Sequence, residues 1–124
     1  MKVVEFIKKL KEYKEKELYL QGNEYDGEDS RFDISDIYFH DNNVYLDEGY
    51  GRSFRSCEKI LNYLKENNAE NFTGDIRIIN HQDMMVSSLW TDSISVYLDE
   101  DDEGEVVCIW VDDADEELPD DFDW

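Results

Sequence analysis

After Arg77 the chain contains neither lysine nor arginine, although sixteen aspartates and glutamates follow. All twelve basic side chains lie in residues 1–77 beside seventeen acidic ones, a formal net of −5. The last forty-seven residues therefore carry −16 of the total −21. Such a surface argues against direct binding to DNA, RNA or an anionic membrane, because that binding needs cations to displace counterions from phosphates. Cysteine is scarce as well. Cys57 and Cys108 are the only two, and each sits in an apolar pattern, which points to buried free thiols in a reducing cytoplasm and not to a disulfide framework. No CxxC or HxxxH spacing occurs, and His40 and His81 stand alone, so the sequence offers no transition-metal ligand set. Long apolar runs are missing too. Nothing approaches the roughly 18 residues of a membrane span, and Met1 to Tyr13 alternates apolar and charged residues without a signal-peptide core. A cytoplasmic protein is expected, in the host cytoplasm if a phage encodes it.

What is present argues for a folded domain. Forty per cent of residues are apolar and 14% aromatic, which offsets the disorder that a net charge of −21 alone would suggest. A chain of 124 residues is long enough to bury one core without disulfides or metal. The acidic third is itself patterned for structure, since Ile94, Val96, Leu98, Val106, Val107, Ile109, Trp110 and Val111 run through it.

Val3, Phe6, Ile7, Leu10 and Tyr13 recur at spacings of three and four, predicting a helix over about 3–16 with Glu5–Lys9 and Glu12–Lys16 pairs on its outer side. Leu18 to Leu20 reads as a short strand, residues 21–31 as a loop, and Phe32 and Ile34 as the opening of a second strand. Ile37–His40 and Val44–Asp47 flank Asp41-Asn42-Asn43, a hairpin pattern. Ser53 or Ser56 can cap a second helix over about 54–67, whose buried stripe is Cys57, Ile60, Leu61 and Leu64. Ile76–Ile79 and the apolar run Met84–Trp90 follow as strands. Residues 92–99 and 105–112 form the arms of a last hairpin. Trp90 and Trp110 are expected in the core.

The expected fold class is α+β, two helices packed on an antiparallel sheet in the order α-β-β-β-α-β-β-β. Residues 1–112 form the single domain, and 113–124 an acidic tail, flexible or loosely docked. Val44-Tyr45-Leu46-Asp47-Glu48 recurs as Val96-Tyr97-Leu98-Asp99-Glu100, and Leu10-Lys11-Glu12 as Leu64-Lys65-Glu66. These matches fit an internal duplication, and equally chance in a sequence rich in these residues.

Catalytic motifs fail on inspection, and carboxylate pairs of the glycoside-hydrolase kind are so numerous in an acidic chain that they single out no site. Counted as an EF-hand loop from Asp99, the twelfth position falls on Trp110, where a bidentate glutamate belongs. Gly49-Tyr50-Gly51-Arg52 is a turn and not a phosphate-binding loop. No serine or cysteine stands in a recognisable relation to a histidine. The expectation is a protein that is not an enzyme and takes no cofactor or metal.

A basic protein partner suits the charge. Carboxylates on one face of a strand recur every second residue, about 6.6–6.8 Å apart, and one strand of DNA advances about 3.4 Å per charge along its axis. In size, acidity and α+β pattern the chain resembles, as a functional class, the small phage-encoded anti-CRISPR and anti-restriction proteins that imitate nucleic acid. The opening Met1–Tyr13 is also similar to the first helix of many short phage proteins. The resemblance implies a stoichiometric inhibitor that blocks the nucleic-acid-binding site of a bacterial defence nuclease. The partner-binding residues expected from the acidic third are Asp92, Asp99, Glu100, Asp101, Asp102, Glu103, Glu105, Asp112, Asp113, Asp115, Glu116, Glu117, Asp120, Asp121 and Asp123, with Phe122 and Trp124 as aromatic anchors. Three rivals share parts of the pattern: an immunity protein or antitoxin that neutralises a basic toxin, a small-molecule sequestering protein or sensor with a defined pocket at an oligomer interface, and a structural component of a phage particle.

Overall fold

The computed structural model describes residues 1–22, 31–49, 54–80, 88–90, 94–101, 104–111 and 116–117. Helix α1 spans Val3–Glu12 and buries Val3, Phe6, Ile7 and Leu10, the stripe its periodicity predicts. It stops at Tyr13, whose N–H turns back to the Leu10 carbonyl at 3.1 Å, so it is shorter than the expected 3–16. The cause is tertiary. Lys16 O accepts from the Cys57 N–H at 3.1 Å, Glu17 bridges Ser56, and Leu18 N donates to Arg55 O at 2.9 Å. Those bonds draw the chain out of the helix through a turn at residues 13–15, where Lys16 N donates to Tyr13 O at 2.9 Å, and so override the helix propensity of Lys14-Glu15-Lys16. Lys16 consequently makes no pair with Glu12; its ammonium lies 3.3 Å from Glu105.

Helix α2 spans Cys57–Glu66 and begins at the second of the two candidate caps. Ser56 is extended, and its Oγ accepts from the Lys59 N–H at 3.2 Å. Cys57, Ile60 and Leu64 are its buried residues. At its far end Asn67 N donates to Tyr63 O, and Asn68 takes the left-handed conformation at φ 57°, which asparagine tolerates.

The described residues form eight strands: β1 Leu18–Gly22, β2 Arg31–His40, β3 Asn43–Gly49, β4 Ile76–Asn80, β5 Ser88–Trp90, β6 Ile94–Asp101, β7 Gly104–Val111 and β8 Glu116–Glu117. They form one sheet in the order β6-β7-β1-β2-β3-β4-β5-β8. The architecture is α+β with two helices, as expected, but the wholly antiparallel sheet is corrected. β1 pairs with β7, and β3 with β4, in parallel. The β3–α2–β4 crossover explains the second case, since a helical return brings the chain back in the same direction. The order α-β-β-β-α holds through α2, after which five strands follow among the described residues instead of three. Of the expected strand 84–90, Ser88–Trp90 forms β5 and the remainder lies outside the described residues.

The β2–β3 hairpin turns on Asp41 and Asn42, at φ 49° and 62°, the left-handed geometry of a two-residue turn. β2 is a single ten-residue strand with an irregularity between Ile34 and Asp36, so the two short runs read from the sequence are one element. The repeated pentapeptides occupy unlike places. Val44–Glu48 lies between β2 and β4, and Leu46 is fully buried, whereas Val96–Glu100 lies in the edge strand β6, where Leu98 is 38% exposed.

Both helices cover one face of the sheet. Phe6, Leu10, Ile60 and Leu64 join Leu18, Leu20, Ile34, Val44, Leu46, Ile76, Ile78, Val107 and Ile109 in one core cluster. Phe39 stacks on Tyr63 at 5.9 Å between ring centroids and meets Phe72 edge-on at 5.8 Å, closing one side. Strand alternation puts Tyr45 and Ile79, with Tyr38 against them, in a second small cluster on the opposite face.

The start of the chain is fastened at Gly74. Val3 N donates to Gly74 O, Gly74 N to Asn42 O, Ile76 N to Met1 O, and Asp75 N to Asn43 Oδ1. A Cβ at Gly74 would fall inside the van der Waals envelope of the Asn42 backbone and of Asn43 Oδ1. Backbone cannot swing aside as a side-chain tip can. Gly74→Ala is therefore expected to lower stability by about 1–3 kcal/mol, the usual range for overpacking, read as a shift of the urea midpoint. An unchanged midpoint would show that the β2–β3 turn yields freely.

Candidate functional site

Of the seventeen expected partner-binding residues, the structure describes side chains for three, Asp99, Glu100 and Glu105. Asp101, Glu116 and Glu117 are described through their backbone. Asp92, Asp102, Glu103, Asp112, Asp113, Asp115, Asp120, Asp121, Phe122, Asp123 and Trp124 lie outside the described residues. The tail enters the structure only as β8, where Glu117 pairs with Ser88 and Glu116 with Leu89. That places Glu116 and Glu117 at one end of the strand order and the β6–β7 hairpin at the other. The described positions of the acidic third thus fall at opposite ends of the strand order.

The hairpin itself is firmly built. Its register runs without a break from Ile94 opposite Val111 to Asp101 opposite Gly104. β7 is apolar because it is interior: Val106, Val107, Cys108 and Ile109 are buried, with β6 on one side and β1 on the other. Trp110 is half-buried and paired with Ser95, on the face opposite Ile109, so it is not in the helix-covered core. Trp90 is described through its backbone alone. Cys57 and Cys108 are buried free thiols, and burial pushes the Cys57 thiol up to about 11, away from nucleophilic use.

Carboxylates gather toward the turn. Glu100 and Glu105 are direct cross-strand neighbours and both are exposed. Like charges opposite one another in a ladder repel, and Lys16 relieves half of this pair through its contact with Glu105. Asp99 points to the other face by strand alternation, and one of its oxygens accepts from the Glu100 N–H at 2.9 Å. Glu17, at the entry to β1, receives a hydrogen bond from the Tyr19 hydroxyl at 2.9 Å. Burial first, and that bond to Glu17 next, raise the Tyr19 pKa. The hairpin end is therefore anionic on both faces of the ribbon.

Sequence reasoning missed a second acidic site. Asp36 and Asp47 face each other across β2 and β3. Asp47 is 3% exposed, and burial, followed by the Asp36 charge, pushes its carboxyl up from 3.8 to about 7. Asp36 accepts from the Ile37 N–H at 2.9 Å and from the Tyr38 hydroxyl at 3.3 Å. Burial, together with the charges of Asp36 and Asp47, lifts Tyr38 to about 12. The sequence signal was Asp47 itself, two positions after Tyr45 and directly after the apolar run Val44-Tyr45-Leu46; its partner could not be read because the β2 irregularity shifts the register. Carboxyls that titrate near neutrality suit general acid–base chemistry when a substrate can reach them. This one is enclosed, and it reads as a structural proton site.

Among the described residues no group of three or more histidines, cysteines or carboxylates is placed to hold a metal ion. His40 ends β2, with Nε2 3.3 Å from Asp41, while His81 lies outside the described residues. No helix among the described residues is long and apolar enough to cross a membrane. A groove of about 320 Å³ between α1 and α2 is lined by Ile7, Leu61 and Leu64, with Lys11, Lys14, Lys65, Asn62 and one carboxylate, Glu70, around it.

The raised Asp47 pKa fixes a pH dependence. Because the folded state holds this proton more tightly than the unfolded state, the associated stability is complete below about pH 4 and is lost as pH rises through about 7. Urea denaturation should show wild-type stability declining across that window relative to Asp47→Asn, by at most about 1.4 kcal/mol per pH unit. Parallel pH profiles for the two proteins would mean that Asp47 titrates normally in the fold.

No protein-family model, no curated protein and no solved structure matches this chain.

Proposed function

We propose that the protein is a non-enzymatic inhibitor that inserts its anionic β6–β7 hairpin into the nucleic-acid-binding site of a basic protein, of the kind a bacterial defence nuclease presents. The observation that carries this reading is the hairpin end. Asp99 lies on one face of an anchored ribbon and Glu100 and Glu105 on the other, and no cation occurs anywhere in residues 94–111. A nucleic-acid channel has two walls, each lined to meet phosphates. A ribbon charged on both faces is complementary to both walls at once, and steering by such a field speeds association. Asp102 and Glu103 at the turn extend the same charge in sequence. The cytoplasm of a phage-infected cell is the compartment that fits this role, with anti-CRISPR or anti-restriction activity as the outcome.

An immunity protein or antitoxin would use the same charge against a basic toxin, and competition separates the two. A nucleic-acid mimic is displaced by the target's own DNA or RNA, whereas an antitoxin that covers another surface is not. The groove between the helices favours a different rival, a sequestering protein for an anionic small molecule. Its volume lies at the lower end of ligand pockets. A thermal shift with nucleotides that is abolished by Lys11→Ala with Lys65→Ala would establish that rival.

The direct assay measures protection of DNA from a panel of purified Cas and restriction nucleases. Protection is expected at stoichiometric amounts, and capture of the protein by the immobilised nuclease should vanish at about 1 M salt, where screening reduces the Debye length to about 3 Å. The combined Asp99→Asn, Glu100→Gln, Asp101→Asn, Asp102→Asn, Glu103→Gln variant should lose about tenfold or more in affinity, equivalent to about 1.4 kcal/mol. Capture that persists in that salt, or protection that persists with the neutralised hairpin, would overturn the mimicry reading.

A further inference from the structure

We infer that β6 is a docking edge that takes up an extended, lysine- or arginine-bearing segment of the partner as an additional strand. This edge role presupposes the basic partner proposed above and specifies how the contact is made. β6 stands at one end of the strand order, with β7 its one neighbour among the described strands. It runs for eight residues, Ile94–Asp101, and its ladder with β7 contains no bulge. An open edge presents a row of backbone N–H and C=O groups to any strand that approaches. Proteins usually blunt such edges with charged side chains, proline, a bulge or extreme shortness. The opposite edge, β8, is two residues long, whereas β6 has eight residues with no proline, lysine or bulge. It is guarded by negative charge alone, at Asp99, Glu100 and Asp101, which repels an acidic strand and leaves the edge to a cationic one.

What β6 carries instead defines its occupant. Leu98 is 38% exposed, one of the two large apolar side chains so exposed among the described residues. Glu100, two positions on and therefore on the same face, is exposed and has no ion pair with any described residue. Its cross-strand neighbour Glu105 already repels it. Strand addition draws affinity from main-chain hydrogen bonds and selectivity from alternate side chains. The incoming strand therefore sets an apolar side chain against Leu98 and a cation against Glu100, about 6.6–6.8 Å further along. A second copy of this chain is a poor occupant, because it brings another −21 of net charge.

The test uses the full chain and a fluorescent octapeptide of alternating lysine and valine. Its control is the same peptide methylated at every backbone amide, with charge and side chains unchanged. Anisotropy should show the unmethylated peptide binding about tenfold tighter or more, the cost of losing even one or two main-chain hydrogen bonds. Hydrogen exchange should slow in residues 94–101 when it binds. Equal affinity of the two peptides, or binding without protection of 94–101, would overturn strand addition and leave a purely electrostatic partner contact standing. If neither peptide binds at low salt, the basic-partner reading falls with it.

Discussion

The parallel pairing of β1 with β7 is the contact on which the rest of the molecule depends. Five consecutive pairs, from Leu18 opposite Val107 to Gly22 opposite Val111, bind the start of the chain to its end. An isolated two-stranded hairpin is marginal in water, and β6–β7 would be one without β1. With β1 in place, Val107 and Ile109 join the main core beside Leu18 and Leu20. The Val107 N–H meets the Glu17 carbonyl at 2.9 Å, and Lys16 reaches Glu105 one step further out. The most acidic part of the chain is thus held by one of its most lysine-rich parts. That arrangement lets an anionic ribbon be rigid, and rigidity is what a charged surface needs to be complementary to anything.

The same contact limits where the helices can run. Residues 14–17 must turn out of the helix to hand Leu18 to the sheet and to meet Ser56 and Cys57, so α1 gives up its last turn. α2 in turn starts where that bridge ends, with Ser56 serving as both bridge partner and N-cap. Helix ends, cap and sheet order are therefore one linked solution. Gly74 plays a comparable part at the other end of α1, where Met1, Val3, Asn42 and Asn43 converge on a space that admits no side chain.

Local signals carried much of this into the sequence. The α1 stripe, the Ser56 cap, the Asp41-Asn42 turn and the β6–β7 hairpin are each encoded within a few residues, by periodicity, a hydroxyl or tolerance of positive φ. The parallel pairs were not legible, because Leu18 and Val107 are distant in sequence and neither residue type reports strand direction. The Asp36–Asp47 pair escaped for a related reason. An irregularity between Ile34 and Asp36 changes which residues face each other, and no local pattern announces it. At the acidic site, the hairpin was readable, but the placement of its carboxylates on both faces and the separation of Glu116 and Glu117 to the far edge follow from register and strand order.

Whether so much negative charge serves only solubility can be argued from position. Solubility needs net charge, and charges at any exposed site supply it. It gives no reason to set Glu100 directly opposite Glu105, a cross-strand arrangement that costs stability on the scale of about 0.2–1 kcal/mol. Nor does it explain why the twelve cations stop at Arg77, when one lysine in β6 would both relieve that pair and blunt an open edge. The chain retains local repulsion at Glu100 and, among the described residues, an edge strand guarded by negative charge alone. Each is a liability for an isolated molecule, and the cationic partner proposed above would relieve both by arriving along β6.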